Sequence, residues 1–376
     1  MRILLLLLAA SSQLLAGYSY QRTITLGSSA VIPSSQSNFT VLVCANGSAP
    51  CNTSIAGLNQ SGAGAHVTSP NGYDIAFSST ACATPTWMKW EMNRYVPSTG
   101  EFYAWVLQPT LSSGGTFFLC YGNSAISTFQ GGSTGSAWET NYKGVWHLSD
   151  GTTLSGADST ANGLNLTNAG ATATTGQIDG AANFVSASAQ RLGNATGPVF
   201  TAGSSITVSF WTLVSSASVS SAFSIGNDGN VGHVAQAHVP YSDSTLYWDY
   251  GTNTTGRVTT SFASRLGSWT KVDLVFNSSN NLHAIYLGGT LANSTTNASS
   301  PTVTLTGIVI GGNLALPYYE NGKLDEFRVS NCARSATWIA TEYNNQSSPS
   351  TFAAVGSESG IGGSSSGVHR RLIGGE

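Results

Sequence analysis

Charge is scarce in this sequence. Of its 376 residues only 8% are Asp, Glu, Lys or Arg, and the formal net charge is -3. A surface that tracks phosphates needs concentrated Lys and Arg, so nucleic acid is excluded as a partner. Long apolar runs are also missing. After the N-terminus no segment reaches the roughly 18 consecutive apolar residues of a membrane span. Cysteine occurs at five positions, and no pair has zinc-site spacing. No G-x-S-x-G elbow follows a strong strand, and no strand–helix alternation exists to hold one. No two Glu lie four apart on one strand face, the pattern of laminarinase-type enzymes. Asp325 and Glu326 are adjacent and are predicted to face opposite ways. Asp243 and Asp249 would lie about 20 Å apart along a strand, whereas glycoside hydrolysis needs carboxylates within roughly 5–9.5 Å. His233 and His238, five apart, would face opposite sides of a strand and make a poor metal pair. His147, within VWHLS, reads as a packed histidine. The chain is therefore read as having no enzymatic activity.

What is abundant is Gly, Ser, Thr, Asn and Ala, with 10% aromatics. Thr and Val runs broken by Gly/Asn/Ser clusters favour antiparallel β structure. Arg2, the apolar run Ile3 to Ala10 and the small residues Ala16 and Gly17 form an export signal. Export permits disulfides among Cys44, Cys51, Cys82 and Cys120, in any of three pairings. The short NGSAP turn makes Cys44 with Cys51 the first choice. Cys332 stands alone.

Alternating segments follow in order: Arg22 to Leu26 as an edge strand, then Phe39 to Cys44, Tyr73 to Phe77, Trp87 to Met92, Phe102 to Leu107 and Phe117 to Tyr121. Such spacing predicts a β-sandwich. The runs YQRTITL, NGYDIAF and EFYAWVLQPTLSSGGTFFLCYGN are similar to a β-rich domain of unknown function from exported bacterial proteins. Cys120 replaces the first Tyr of that family's closing Y-Y-G-N. The resemblance covers residues 18–125 and carries no activity with it.

A second series opens at Trp138. Ile206, Val208 and Phe210 alternate with Thr207, Ser209 and Trp211. Val272, Leu274 and Phe276 are predicted to point inward, and Gly288-Gly289 to form a hairpin turn. Lys323 to Ser330 reads as a strand with Asp325, Phe327 and Val329 on one face. A helix capped by Ser335 should follow and stop at Asn344 and Asn345. The motifs YKGVWHLSDGTTLSGADSTANG, GQIDGAANF and GKLDEFRVSNCARSATWIATEYNN resemble the LamG-like, concanavalin A-type jelly rolls of bacterial surface proteins, over residues 140–345. In that family the DSTANG loop and the Asp of the LDE strand lie near one calcium ion. The resemblance thus implies calcium at Asp158 and Asp325, with Asn162 beside them. Without a metal, Asp158 would cap a turn and Asp325 would pair with Arg328 or Arg334.

The predicted fold class is all-β, with two β-sandwich domains. The expected organisation is a signal peptide (1–16), a β-sandwich (17–130), a linker (131–137), a jelly roll (138–356) and a disordered Gly/Ser tail (357–376) bearing Arg370 and Arg371. The function expected is recognition of a glycan or surface polysaccharide by a secreted or surface-displayed protein. The rival is a structural or spacer module of a cell-surface or virion assembly, with a glycoside hydrolase ranked below both. Sugar rings stack on exposed aromatics, with amides and carboxylates fixing the hydroxyls. Tyr241, Tyr247, Trp248, Tyr250, Tyr318 and Tyr319 fall in polar surroundings and are the candidates. The N-x-S/T triplets at Asn38, Asn194 and Asn293 are read as composition.

Overall fold

The computed structural model describes residues 17–149, 153–226, 234–252 and 255–361. The export signal, His233 and the Arg370–Arg371 pair lie outside the described residues.

Four antiparallel sheets stack into two sandwiches. In the first sandwich, one sheet runs in the order Ala353–Gly360, Tyr20–Leu26, Thr116–Tyr121, Ala76–Ser78. The facing sheet runs Gln36–Ala45, Glu101–Leu111, Trp90–Val96. Between them lies a core that includes Ile24, Phe39, Val41, Val43, Phe77, Trp90 and Phe117. Both disulfides form here, Cys44 with Cys51 and Cys82 with Cys120. Cys332 is free.

The Tyr20–Leu26 strand is not at an edge. The last described strand returns from the C-terminal half to pair with it, with Arg22 opposite Glu358 and Leu26 opposite Ala353. The tail expected from residue 357 therefore begins as sheet: Ser357 to Gly360 continue the strand.

The second sandwich has one sheet in the order Thr290–Thr295, Leu282–Leu287, Thr270–Asn277, Ile206–Leu213, Gly322–Ser330, Gly180–Phe184, Thr172–Thr175, with Tyr142–Trp146 also paired to Gly322–Ser330. The other runs Arg257–Ser261, Thr245–Gly251, Val234–His238, Phe223–Ile225, Leu305–Ile310, Arg191–Phe200, Thr167–Ala169. Val208, Phe210, Val272, Leu274 and Phe276 meet Phe223, Ala235, Trp248 and Ile308 in its core, as their alternation predicts.

The Gly322–Ser330 strand departs from simple alternation. Arg328 pairs with Ser209 and Asp325 with Trp211, so Glu326 and Phe327 together oppose Phe210. This is a β-bulge, and Glu326 adopts φ +51°. The extra residue shifts the phase. Leu324, Phe327 and Val329 share the core, and Asp325 leaves the face on which alternation had placed it beside Phe327 and Val329.

The helix Ala336–Ser347 is capped as predicted: Ser335 Oγ accepts from Trp338 N at 3.1 Å. It does not stop at Asn344 and Asn345. Those two side chains dock it on the first sandwich instead. Asn345 Oδ1 accepts from Leu42 N at 2.7 Å while its Nδ2 donates to Leu42 O at 3.1 Å, and Asn344 Nδ2 donates to Val31 O at 2.8 Å. The amide thus pairs with an edge strand as a neighbouring backbone would.

Candidate functional site

A cavity of about 320 Å³ opens on the second sandwich. Its floor comes from three adjacent strands. Ala235, Ala237, Leu246, Trp248, Tyr250 and Val258 face the core. By the two-residue period, Gln236, His238, Tyr247, Asp249 and Arg257 face the other way. Register aligns them across strands: His238 opposite Tyr247, Gln236 opposite Asp249, Asp249 opposite Arg257. The wall comes from two loops. Tyr241 and Asp243 lie on the turn between the Val234–His238 and Thr245–Gly251 strands. Leu316 and Tyr318 lie on the connection from Ile310 to Gly322.

The floor is held by hydrogen bonds. Arg257 donates to Asp249 from Nε at 2.6 Å and from a terminal nitrogen at 2.7 Å. This bidentate pair raises the pKa of the guanidinium, although burial works against it. Gln236 Nε2 donates to Asp249 Oδ2 at 3.0 Å, and Asn313 Nδ2 donates to Gln236 Oε1 at 2.5 Å. Asn313 Oδ1 in turn accepts from Ala315 N at 2.8 Å and Leu316 N at 2.9 Å, shaping the second loop. Burial pushes the pKa of His238 down, which leaves the imidazole neutral at pH 7. Its Nδ1 is 2.5 Å from Ser220 O and therefore carries the proton.

The tyrosines enclose this floor. Tyr241 stands at 90° to Tyr247 with centroids 6.0 Å apart, and at 65° to Tyr318 with centroids 6.3 Å apart. The Arg257 guanidinium lies 4.4 Å from the Tyr247 centroid. Tyr247 Oη donates to Asp243 Oδ2 at 2.5 Å, and this bond holds the exposed Asp243 carboxyl below its usual range.

Three of the six predicted aromatics meet here: Tyr241, Tyr247 and Tyr318. Trp248 and Tyr250 do not. Both are fully buried in the core, Trp248 stacked on Tyr250 at 5.7 Å and Tyr250 donating to Ser204 O at 2.6 Å. Tyr319 packs near Arg191, away from the cavity lining. The cavity-lining residues that sequence reasoning missed are Gln236, His238, Asp243 and Arg257. A signal existed. In QAHVPYSDSTLYWDYG, polar Gln236, His238 and Asp249 alternate with residues of core type.

The predicted calcium ligands take no part in this cavity. Asp158 Oδ1 accepts from Val145 N at 3.1 Å and Thr160 N at 2.9 Å, and Oδ2 from Thr160 Oγ1 at 2.9 Å and Leu164 N at 2.8 Å. These four donors occupy its four lone-pair positions. Asn162 turns its amide nitrogen toward Tyr142 O at 3.1 Å. Asp325 Oδ2 accepts from Gln177 N at 2.8 Å and Ile178 N at 2.9 Å, and burial raises the acid's pKa well above its usual value. Asp158 and Asp325 share no hydrogen-bond donor. Asp158 has no lone pair left for an ion, so the donor set does not fit a calcium bridging the two. Among the described residues no group of three or more His, Cys, Asp or Glu is arranged to hold a metal ion. Arg328 and Arg334 are paired elsewhere, Arg328 with Glu326 and Glu342 and Arg334 with Glu139.

Residues 179–340 match the family model described as the concanavalin A-like lectin/glucanases superfamily. The C-terminal region is a concanavalin A-like jelly roll. No curated protein sequence matches the chain. Solved structures similar to it include the binding domain of Paraclostridial Mosquitocidal Protein 1, at 16% identity and TM-score 0.43, covering 54% of this chain and 52% of that one. Domain 4 of AbnA, a GH43 extracellular arabinanase from Geobacillus stearothermophilus, in complex with arabinotriose, is similar at 17% identity and TM-score 0.43, covering 54% and 98%. The heptameric SAP-like pentraxin from Limulus polyphemus is similar at 17% identity and TM-score 0.32, covering 39% and 72%. The chain spans about half the length of the mosquitocidal structure. Within the jelly roll, the tyrosine cavity lies on the sheet that carries Thr245–Gly251, inside the matched residues. No helix among the described residues is long and apolar enough to cross a membrane.

Proposed function

We propose that this chain is an exported, non-catalytic recognition protein whose jelly roll binds a carbohydrate in the cavity of Tyr241, Tyr247 and Tyr318. The convergence of three partly exposed tyrosines around a hydrogen-bonded Gln236–Asp249–Arg257 floor carries this reading. A sugar ring offers an apolar face to an aromatic ring and hydroxyls to amide, carboxylate and guanidinium groups. A cavity of about 320 Å³ has room for a small saccharide. The Asn313 bonds preorganise the site, which lowers the ordering cost of binding. Two disulfides suit an oxidising, extracellular setting.

The carboxylates support binding over hydrolysis. A glycosidase needs one acid kept protonated beside a second carboxylate. Asp243 is held ionised by Tyr247, and Asp249 is engaged by Arg257 and Gln236. Burial pushes the pKa of Glu320 up to about 8, but Glu320 is not part of the cavity lining. Binding in this reading is independent of calcium, because neither Asp158 nor Asp325 lines the cavity.

Titration calorimetry after a glycan-array screen tests the proposal. Tyr241→Ala and Tyr318→Ala should each weaken binding about tenfold, the equivalent of ~1.4 kcal/mol for one lost ring contact. Tyr319→Ala should leave affinity unchanged. A chain that binds no glycan at millimolar concentration, with or without calcium, would instead be a structural spacer.

A further inference from the structure

We infer that the chain carries a second ligand site, for a neutral saccharide unit, in the cleft where the first sandwich, the 131–137 segment and the loop at Ser159 meet. This inference stands apart from the tyrosine cavity and does not depend on it. The cleft holds about 380 Å³ and lies at a junction of two sandwiches, where small-molecule sites concentrate.

Its lining combines aromatic faces with hydroxyl and amide groups. Phe129 is 37% exposed and packs at 4.6 Å against Trp90. Tyr73 lies on the same cleft, and Asn71, Ser133 and Thr134 supply polar groups. Trp90 is 1% exposed, and its indole N–H finds no acceptor among the described residues. A buried donor without an acceptor costs about 1–3 kcal/mol. A ligand oxygen that reached it would remove that cost.

Charge narrows the class of ligand. Glu91 lines the cleft and accepts from Trp138 Nε1 at 2.6 Å and Ser159 Oγ at 2.5 Å, with His147 Nε2 at 3.8 Å. Burial favours the neutral form of Glu91, but His147 and these hydrogen bonds outweigh it and hold the group ionised. The carboxylate faces an imidazolium whose other nitrogen meets Glu326 at 2.7 Å, and Arg328 meets Glu326 at 2.8 Å, so the two carboxylates are balanced by two cations within the protein. A neutral molecule with an apolar face and several hydroxyls matches this lining better than an ion does.

The wall is built, not slack. Trp90 N donates to Gly131 O and Trp138 N to Gly135 O, each at 3.1 Å. Gly135 has φ +81°, and a Cβ there would come within 2.2 Å of Ala161 N. The GGSTGS segment that reads as a linker is thus folded into one side of the cleft.

The test titrates the full chain with cellotriose, mannotriose and xylotriose, reading stoichiometry by calorimetry and indole environment by tryptophan fluorescence. Phe129→Ala and Ser133→Trp, both at exposed positions, perturb this cleft, and Tyr241→Ala perturbs the other site. Thermal melts confirm that each variant folds. Two equivalents per chain, one of them weakened at least tenfold by Phe129→Ala or Ser133→Trp, is the expected result. A single equivalent removed by Phe129→Ala alone would uphold this cleft and overturn the tyrosine cavity. A single equivalent removed by Tyr241→Ala and untouched by the other two would overturn the second site and leave the first. No binding of any trisaccharide would overturn both.

Discussion

His147 Nδ1 lies 2.7 Å from Glu326 Oε1, with both side chains buried beneath the outer face of the jelly-roll sheet. The contact belongs to a layer that joins the two sandwiches. Glu91 of the first sandwich faces the other side of the imidazole at 3.8 Å. Arg328 donates to Glu326 at 2.8 Å and to Glu342 of the helix at 2.7 Å, while its guanidinium lies 4.4 Å from the Trp105 centroid of the first sandwich. Lys271 donates to Glu342 at 2.8 Å. The bulge at Glu326 builds this layer. It puts Phe327 into the core and gives Glu326, at φ +51°, to His147 and Arg328.

This layer sets how stability depends on pH. Burial lowers the pKa of His147, but Glu326 and Glu91 outweigh it and raise the pKa to about 10. A raised folded pKa stabilises fully below the unfolded value of about 6.5 and is lost as pH climbs toward 10. Asp325, raised by burial, adds a loss of the same sign as pH rises through its own range. Glu342 behaves oppositely. Lys271 and Arg328 overcome its burial and hold it at about 2, so its contribution disappears as pH falls from about 4.5 toward 2. Thermal melts should show the melting temperature falling from pH 6.5 to 10. His147→Gln should be less stable at pH 6.5 and should flatten that alkaline slope. An unchanged slope would show that His147 is not the titrating group.

The docking of the helix makes a separate prediction. Asn345→Ala leaves both Leu42 N–H and Leu42 C=O buried without their partner. Each unsatisfied group costs about 1–3 kcal/mol, so denaturant unfolding should show a loss of ~2–6 kcal/mol. Asn344→Ala removes one bond at a less buried site and should cost about 1 kcal/mol or less.

Local chemistry was legible in the sequence, and distant pairing was not. Ser335 caps a helix whose first turn lies within three residues, so the cap could be read directly. Asn344 and Asn345 looked like a helix stop because their partners, Val31 and Leu42, are some 300 residues away. Alternation in TLYWDYG showed that Tyr247 and Trp248 face opposite ways. It did not say which face was core, so Trp248 and Tyr250, which the structure buries, stood among the candidates beside Tyr247. The phase of GKLDEFRVS was misread because nothing in a Glu announces a positive φ. The apolar run Phe352 to Val355 reads as a strand that completes the sheet, but its continuation to Gly360 was not legible, because that Gly/Ser-rich end is ordered by Tyr20–Leu26 and not by its own composition.

Calcium dependence can be checked simply. Asp158 already receives four protein donors, and a cation there would have to displace them. Adding millimolar calcium or excess chelator should shift the melting temperature by less than the scatter between replicates. Asp158→Asn should still destabilise. An amide has only one oxygen for those four donors, so about 1–3 kcal/mol should be lost from each backbone N–H left unsatisfied. A calcium-induced rise in melting temperature that Asp158→Asn abolishes would reinstate the metal site.

The last strand makes the first sandwich depend on the end of the chain. Ala353 to Gly360 cover the Tyr20–Leu26 strand, and side chains tie the pairing down. Arg22 donates to Gly356 O at 3.0 Å and Tyr121 Oη donates to Glu358 Oε2 at 2.7 Å, while His66 Nδ1 meets the same carboxylate oxygen at 2.8 Å. Asn52 Oδ1 accepts from Val355 N at 2.8 Å. Truncation before Ala353 would uncover a row of unpaired backbone groups along Tyr20–Leu26, which invites edge-to-edge association. It would also strip the Gly356 carbonyl from the buried Arg22. The truncated chain is expected to aggregate or to lose the first sandwich to limited proteolysis, while the jelly-roll core resists longer. A synthetic peptide spanning residues 353–361, added in excess, should restore protection by occupying the vacant edge. Proteolysis kinetics identical to those of the full chain would show that the first sandwich closes without its C-terminal strand.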